Sequence, residues 1–414
     1  MKRSMEVTSS RKFGEVSRRQ FLRTGAAALA LGSAAWGQTR PGNESTLPED
    51  VGLPPIPYQK SKVIKGTRWL SEPFHDKNAG DVWSSTWSDD DNLYAVADDT
   101  SATGNIAWNL SVYKVEGMPP RQVVTRVNEM REYDKAGAGQ WWKGAGLASI
   151  DGVLYLGIYS QSNPRKGSPT KVSFNADHSS IIKSIDHGKT WTPTATVDAP
   201  MFPSKEFPTP FFVQYGKDYA DAMDEYVYLV SNDGGWNNWN RMMLGRVPRK
   251  RIGELNRSDW EFFTGTEKQN APLWDRDIRK AAAIFEHKGY TGMTGMQYVP
   301  AAKRFALGQW SYVAMKGGGG DWTKACPAPP PWPREEKYEK ADQTMLCLYE
   351  APKPWGPWRL FHAQPKWGPA LYNPNFPSKW FENDGKKMWI VEGGNYRGPS
   401  GGYNFTVQQL ELIL

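Results

Sequence analysis

One pattern recurs five times along this chain and constrains its fold more than any other feature. It is a tight turn rich in Asp or Gly, followed by a run in which aromatic and aliphatic residues alternate. The copies are DDDNLYAVAD (89–98), SIDGVLYLGIYS (149–160), MDEYVYLVSND (223–233), VPAAKRFALGQW (299–310) and ENDGKKMWIVEGGN (382–395). Alternation with a period of two is typical of β-strands. A spacing of roughly 60 to 80 residues between copies fits a four-stranded sheet with its loops.

Further strand-like runs flank each copy. One precedes it, at 82–88, 144–150, 207–215, 293–299 and 376–382, and one follows it, at 109–116, 180–186, 241–248, 344–351 and 405–413. Four units have a fourth run, at 123–127, 192–197, 260–265 and 358–362. The last unit lacks one, and the N-terminal run SKVIKG (61–66) is predicted to supply it. We therefore predict an all-β fold, a five-bladed β-propeller with four-stranded blades whose ring is closed by an N-terminal strand. The alternative is an irregular β-sandwich.

The N-terminus has the pattern of an export signal. Ser17-Arg18-Arg19-Gln20-Phe21-Leu22 precedes an apolar run over 26–36, and the small residues near 35–37 fit a cleavage site. We predict a twin-arginine signal peptide over 1–37, a linker over 38–60 and a single propeller domain over 61–414. The protein would then be periplasmic or extracellular. The apolar run is too short for a permanent membrane span, so no membrane contact is expected after cleavage; a retained anchor is the alternative.

The charge balance excludes one class of partner. Seven basic and two acidic residues within 1–37 account for five of the seven net positive charges, so the remainder carries only +2. That remainder has no basic block interleaved with aromatic residues, and no nucleic-acid partner is expected. We expect a monomer that binds carbohydrate. Cys326 and Cys347 are predicted either to form one disulfide after export or to stay free.

The segment Ser184-Ile185-Asp186-His187-Gly188-Lys189-Thr190-Trp191 fits the pattern S-x-D-x-G-x-T-W. It resembles the Asp-box of sialidase-like propellers, a turn in which the Asp caps backbone amides and the Trp packs beneath. Residues 70–414 also resemble a sialidase-like family known by a domain of unknown function, on stretches such as GDVWSSTWSDDDNLY and FPSKWFENDGKKMWIVEGGN. Some relatives of that family are endo-D-arabinanases. The arginine triad of true sialidases is not apparent, so the resemblance does not imply sialic acid.

A propeller binds ligands at one end of its channel, where inner strands begin and second strands end. The repeat predicts inner strands beginning at Asp81, Lys143, Glu206, Tyr290 and Asn375. Second strands would end near Asp98-Asp99, Ser160-Gln161, Asn232-Asp233, Gln309-Trp310 and Glu392-Asn395. Carboxylates from several units would therefore meet at one end, which we call the top end. Glycoside hydrolysis needs such a pair, one as acid and one as nucleophile or base. The predicted catalytic residues are Asp81, Asp99 and Glu206, with Asp98, Asp233 and Glu392 as substitutes.

Aromatic and cationic residues are predicted to complete the site. Stacking on sugar rings is expected of Trp83, Trp142, Trp236, Trp310 and Tyr396, although each could instead pack in the core. Trp236 is favoured for binding, because it lies in the Gly- and Asn-rich segment NDGGWNNWN. Lys143 and Lys205 would meet an acidic substrate or neutralise the carboxylates, and Asp233, Asn375 and Glu392 would contact sugar. We expect no cofactor, with a Ca²⁺ held by clustered Asp as the alternative.

Three functions remain open at this point. The first is glycoside hydrolysis. The second is carbohydrate binding without catalysis, in which aromatic residues line the top end without a carboxylate pair. The third is a polysaccharide lyase, in which Tyr290 would act as the base and Lys143 or Lys205 would neutralise a uronate.

Overall fold

The computed structural model of the chain describes residues 54–100, 110–133, 136, 140–162, 176–193, 198–203, 205–314, 343–369, 371–394 and 404–414. In these ranges strands dominate, and the predicted all-β class is confirmed. Short 3-10 helices connect them, at Arg131–Tyr133, Lys217–Tyr219, Arg249–Glu254, Arg257–Asp259, Lys268–Asn270, Ile278–Lys280, Pro300–Ala302, Ser378–Trp380 and Asn383–Gly385. No helix in the described ranges is both long and apolar enough to cross a membrane.

The first half of the chain contains two antiparallel units, preceded by two strands. The preceding strands are β1 (Gly66–Trp69) and β2 (Phe74–Ala79). The first unit pairs in chain order and contains β3 (Asp81–Trp87), β4 (Leu93–Asp98), β5 (Leu110–Glu116) and β6 (Val123–Asn128). The second contains β7 (Gln140–Ile150), β8 (Val153–Ser162) and β9 (Ala176–Ser184).

The third and fourth units share one sheet, because their first strands, β10 and β16, pair in parallel. The third contains β10 (Phe211–Gln214), β11 (Tyr226–Asn232), β12 (Trp239–Pro248), β13 (Glu261–Thr266), β14 (Pro272–Asp275) and β15 (Ala283–Thr291). The fourth contains β16 (Met296–Val299), β17 (Arg304–Ala314), β18 (Gln343–Ala351) and β19 (Arg359–Pro369). The strands β14 and β15 were not predicted; they pair with β13 and β12.

The fifth unit combines both ends of the chain. It contains β20 (Leu371–Asn375), β21 (Lys387–Gly394) and β22 (Asn404–Ile413), and both β1 and β2 pair antiparallel with β22. The pairing strand is Gly66–Trp69 rather than the predicted run 61–66, because Ser61 turns the chain there: its hydroxyl accepts from the amides of Val63 and Ile64, each at 3.0 Å.

A second prediction in this unit is wrong. The strand predicted at 376–382 lies instead at Leu371–Asn375, and Ser378–Trp380 is a 3-10 helix. Pro377 has no N–H for a strand ladder, and its carbonyl accepts from the amide of Trp380 at 3.0 Å, which closes a helical turn.

Residues 54–65, which we call the strap, lie against the third and fourth units. The ring of Tyr58 stacks on Phe285 at 4.7 Å, and its hydroxyl accepts from the amide of Glu286 at 2.7 Å. The amide of Ser61 donates to the carbonyl of Leu360 at 2.7 Å. Ile64 is fully buried. The end of the predicted linker is therefore packed on the sheets.

Glycines on β7 and β8 allow the second unit to approach the start of β10 closely. The amide of Gly146 donates to the carbonyl of Pro210 at 3.0 Å, and a Cβ on Gly157 would overlap that same carbonyl oxygen. We therefore expect Gly157→Ala to lower the free energy of unfolding by about 1–3 kcal/mol, because the obstacle is backbone. Urea denaturation measures this. Gly66→Ala is the control, since its Cβ would meet only Ile413 at 3.7 Å; equal losses in both variants would contradict the explanation.

Candidate active site

Three aspartates and a lysine meet where β3 begins and β4 ends. Asp81 is the first residue of β3 and lies directly opposite Asp98, the last residue of β4. Asp99 follows Asp98, and Lys143 reaches it from β7 of the second unit to form an ion pair. Asp81, Asp98 and Lys143 are buried, and the side chain of Asp99 is only 9% exposed. The sequence predicted Asp81, Asp99 and Lys143 at one end of the fold, and the contacts bring these three together.

Each carboxylate has a distinct partner. The hydroxyl of Tyr372, on β20, donates to Oδ2 of Asp81. The amide of Gly144 donates to Oδ1 of Asp98 at 2.8 Å. The ammonium of Lys143 donates to Oδ1 of Asp99. The first, second and fifth units therefore each contribute to one polar cluster.

Burial controls the protonation of this cluster. It raises the pKa of Asp81 well above the usual range, and the nearby charges of Asp99 and Asp98 raise it further, against Lys143 and the bond from Tyr372. The pKa of Asp98 is raised to about 7, chiefly by burial, while Lys143 and the Gly144 amide oppose the rise. Burial alone would lower the pKa of Lys143, but the three aspartates hold it above its usual value. Burial and the two neighbouring carboxylates thus favour the protonated form of Asp81.

The backbone around Asp81 is unusual. Val82 has a φ of 70° and Trp83 a φ of 48°, and the pairing of β3 with β4 shifts register between Asp81 and Ser84. A β-branched residue at positive φ is strained, and strained backbone beside polar clusters is common at functional sites. The side-chain Nδ2 of Asn373 holds this bulge by donating to the carbonyl of Val82 at 2.6 Å.

An aromatic wall adjoins the aspartates; we define it as Trp236, Trp310, Tyr312 and Tyr372. The ring of Trp236 lies 5.3 Å from Tyr372 and 5.5 Å from Tyr312, and Trp310 lies 5.2 Å from Tyr372. Trp236 is half-buried, whereas Trp310 is fully buried and donates to the carbonyl of Met293 at 2.8 Å. Among the predicted stacking residues that the structure describes, Trp236 is therefore the one that combines partial exposure with closeness to the Tyr372–Asp81 hydrogen bond.

Trp83 and Trp142 are fully buried and pack in the core, which was the alternative considered for them. Trp83 lies against Tyr113 and Phe405, and its indole donates to the carbonyl of Gly80 at 2.8 Å. Tyr396 lies outside the described residues, as does Cys326, whereas Cys347 is buried in β18.

Glu206 does not begin an inner strand. The strand begins at Phe211, five residues later, and Glu206 interacts electrostatically with Arg257 and Arg279 rather than with the aspartates. Lys205 lies 3.4 Å from Asp177 in an exposed ion pair. The first strand of the third unit is short and starts late, because residues 205–210 form a turn before it.

The described contacts of Asp233 and Tyr290 lie within the third unit. The carboxylate of Asp233 accepts from the amides of Asn240 and Arg241, at 3.0 and 3.3 Å, and so caps its own loop. Tyr290 belongs to β15, which pairs with β12, and its ring lies 4.9 Å from His287. The extra strands of the third unit displaced the predicted strand start from Tyr290 to Met296.

Asn375 ends β20 rather than beginning an inner strand, and its side chain donates to the carbonyl of Asn373 at 2.7 Å. It lines a small pocket, partly open to solvent, that also touches Ser84, Ser85, Phe211, Gln214 and Met296. First strands of four units contribute to this pocket. Tyr372 and Asn373 were missed by the sequence analysis, because neither belongs to a run that was read as a strand.

Glu392 is fully buried on β21. The indole of Trp367 donates to its Oε1 at 3.2 Å, and its Oε2 has no hydrogen-bond partner among the described residues. Burial raises the pKa of Glu392 from 4.5 to about 8.

This buried acid predicts a pH dependence of stability. The folded protein keeps the proton of Glu392 while the unfolded chain releases it, so the free energy of unfolding falls as pH rises from about 4.5 to about 8. The contribution is on the order of a few kcal/mol. Glu392→Gln should flatten the curve of unfolding free energy against pH, measured by urea denaturation. A curve as steep as that of the wild type would contradict the assignment.

Residues 184–191 form a capped turn after β9. The carboxylate of Asp186 accepts from the amide and hydroxyl of Thr190, at 2.9 and 2.7 Å. The indole of Trp191 donates to the carbonyl of Gly188 at 3.0 Å, and Gly188 has a φ of 85°. These contacts are those of a structural turn.

Next to this turn, His187, Asp89 and Asp90 have potential ligand atoms within 4.8 Å of one another, at the exposed surface.

No family model matches the chain. No curated protein matches it either. Among solved structures, the GH43_1 enzyme from Xanthomonas citri complexed with xylotriose shares 12% identity at a TM-score of 0.45, covering 84% of this chain and 91% of that one. An α-L-arabinofuranosidase from Podospora anserina in complex with cellotriose shares 8% at 0.42, covering 86% and 94%. An endo-arabinase from Bacteroides thetaiotaomicron shares 11% at 0.38, covering 86% and 97%. Because these TM-scores lie below 0.5, neither fold nor activity is transferred from them to this chain.

Proposed function

We propose that this chain is an exported glycoside hydrolase that cleaves a poly- or oligosaccharide at the aspartate cluster. The observation that carries the proposal is the meeting of Asp81, Asp98 and Asp99 beside Lys143. A glycosidase needs one carboxylic acid that protonates the leaving oxygen and one carboxylate that attacks the sugar or activates water. We assign both of these roles to residues of this cluster.

Asp81 is the proposed acid. Burial and two neighbouring negative charges favour its protonated form, which is the form that donates a proton to the departing sugar. Asp99 supplies the carboxylate, paired with Lys143. Asp98 is proposed as the third carboxyl group of the site, in place of Glu206. The charge of Asp98 favours the protonated form of Asp81, and the Gly144 amide holds the Asp98 carboxylate in position.

The five antiparallel units are proposed to close into a five-bladed propeller. The support is a cycle of neighbours: β3 contacts β7, β7 contacts β10, β10 pairs with β16, β17 contacts β20, and both β20 and β21 contact β3. Residues 61–414 would then form one domain. In the same proposal residues 1–37 direct export by the twin-arginine route, and the strand β1 completes the fifth blade.

Carbohydrate binding without catalysis is the second candidate, and the aromatic wall favours it. Half-buried Trp236 beside Tyr372 is suited to stacking on a sugar ring. The lyase is less well supported, because Lys143 is occupied by Asp99 and Tyr290 lies beside His287.

A reducing-end assay of the purified protein tests these candidates. The panel comprises arabinans, arabinogalactans, neutral glycans and uronate polymers, with ultraviolet absorbance of unsaturated products read in parallel. Hydrolysis predicts new reducing ends without absorbance. New ends with absorbance would establish a lyase, and an inactive protein that binds one of the glycans would establish the binding candidate.

A further inference from the structure

We propose that Tyr372 is a positioning residue that keeps the acid proton of Asp81 on its Oδ1 atom. This inference rests on the proposed function and deepens it, since it assigns a residue on the last unit to a reaction whose acid lies on the first. Tyr372 and Asp81 are 291 positions apart in the chain.

The two oxygens of Asp81 have different surroundings. Oδ2 accepts the hydroxyl of Tyr372, whereas Oδ1 is buried and has no hydrogen-bond partner among the described residues. A protonated carboxyl group has one O–H donor. With Tyr372 donating to Oδ2, the proton of the acid is favoured on Oδ1, and we assign Oδ1 as the atom that donates to the glycosidic oxygen. The proton then passes from Oδ1 to the leaving oxygen, and Asp81 becomes a carboxylate that still accepts from Tyr372.

Tyr372 is itself held on several sides, as a positioning residue must be. It is fully buried, and its ring lies 5.2 Å from Trp310 and 5.3 Å from Trp236. The next residue, Asn373, donates to the carbonyl of Val82 at 2.6 Å, beside Asp81. A Cβ on Gly393 would lie 3.2 Å from the Tyr372 ring and 2.7 Å from the Val82 nitrogen, so β21 packs closely on the same junction.

Tyr372→Phe removes only the hydroxyl. We expect kcat to fall about tenfold with KM nearly unchanged, because the proton is presented less well in the transition state. A hydrogen bond to the charged form lowers a pKa, so its loss raises the pKa of Asp81. The alkaline limb of the kcat profile, where the acid loses its proton, should therefore move to higher pH. A merely structural role would not move this limb.

Tyr228→Phe is the matched control. Tyr228 is also buried, and its hydroxyl donates to Asp224 over a distance of 2.7 Å; Asp224 is not one of the three clustered aspartates. Its pH profile should remain that of the wild type. If Tyr372→Phe fails to fold, replacing Tyr372 by a ring-fluorinated tyrosine keeps the shape and strengthens the donor, and the alkaline limb should then move to lower pH.

An infrared titration of the Asp81 carbonyl band, assigned by difference against Asp81→Asn, gives a readout that needs no substrate. The band should persist to higher pH in Tyr372→Phe than in the wild type. An unshifted band and an unshifted limb would overturn the inference. If the wild type cleaves no glycan, the proposed function fails, and the infrared titration alone decides whether Tyr372 controls the proton of Asp81.

Discussion

Asp81→Asn should strongly reduce turnover while leaving glycan binding intact. Asparagine keeps the size of the side chain and an oxygen that can accept from Tyr372, but it cannot release a proton to a leaving oxygen. General acid catalysis contributes roughly 10²- to 10⁴-fold, so kcat should fall by about that factor. The measurement is the steady-state rate on the glycan that the wild type cleaves best, together with its affinity by calorimetry.

Asp89→Asn is the control for this prediction. Asp89 lies in the turn after β3, where its partners are Ser88 and His187, and its side chain is 40% exposed. This variant should keep the wild-type rate. If Asp81→Asn retained most of the activity, Asp81 could not be the acid, and a different carboxylate of the cluster would have to take that role.

Removing residues 1–72 should prevent stable folding at ambient temperature, whereas removing 1–53 should not. The longer deletion takes away the strap and β1, which hold the N-terminal and C-terminal parts of the chain together. It deletes the buried side chain of Ile64, the Tyr58 stack on Phe285, and the pairing of Gly66–Trp69 with β22. A buried apolar side chain contributes about 1.5–3 kcal/mol, and total stability is only about 5–15 kcal/mol.

The two deletions differ only in residues 54–72, so a comparison of their thermal unfolding isolates the strap and β1. We expect a cooperative transition from the shorter deletion and none, or one at a much lower temperature, from the longer. Equal melting temperatures would contradict the account, since the unit formed by β20, β21 and β22 would then be stable without β1.

The sequence predicted the parts of this fold that depend on local pattern. All five second strands were found, because alternating apolar residues after an Asp or Gly turn give a period that few other structures share. The clustering of Asp81, Asp99 and Lys143 followed from that repeat. The prediction requires only that the first strands begin, and the second strands end, at the same end of the fold.

What could not be predicted depends on residues distant in the chain. The strands β14 and β15 have no counterpart in the other units, so counting repeats misplaced Tyr290, and a turn at 205–210 misplaced Glu206. Pro377 excludes a strand at 376–382, so the first strand of the fifth unit lies at Leu371–Asn375 instead. The Tyr372–Asp81 hydrogen bond joins the fifth unit to the first, 291 positions apart, and no local pattern predicts such a partner.

Cleavage in water enriched in oxygen-18 tests the central claim most directly. The purified protein is incubated with the glycan of the panel that it cleaves fastest, and the masses of the products are measured by mass spectrometry. Hydrolysis at the aspartate cluster predicts one heavy oxygen at each new reducing end, and far less product from Asp81→Asn over the same time. Unlabelled products lighter by one water would show elimination instead, and an absence of products on every glycan would contradict hydrolysis altogether.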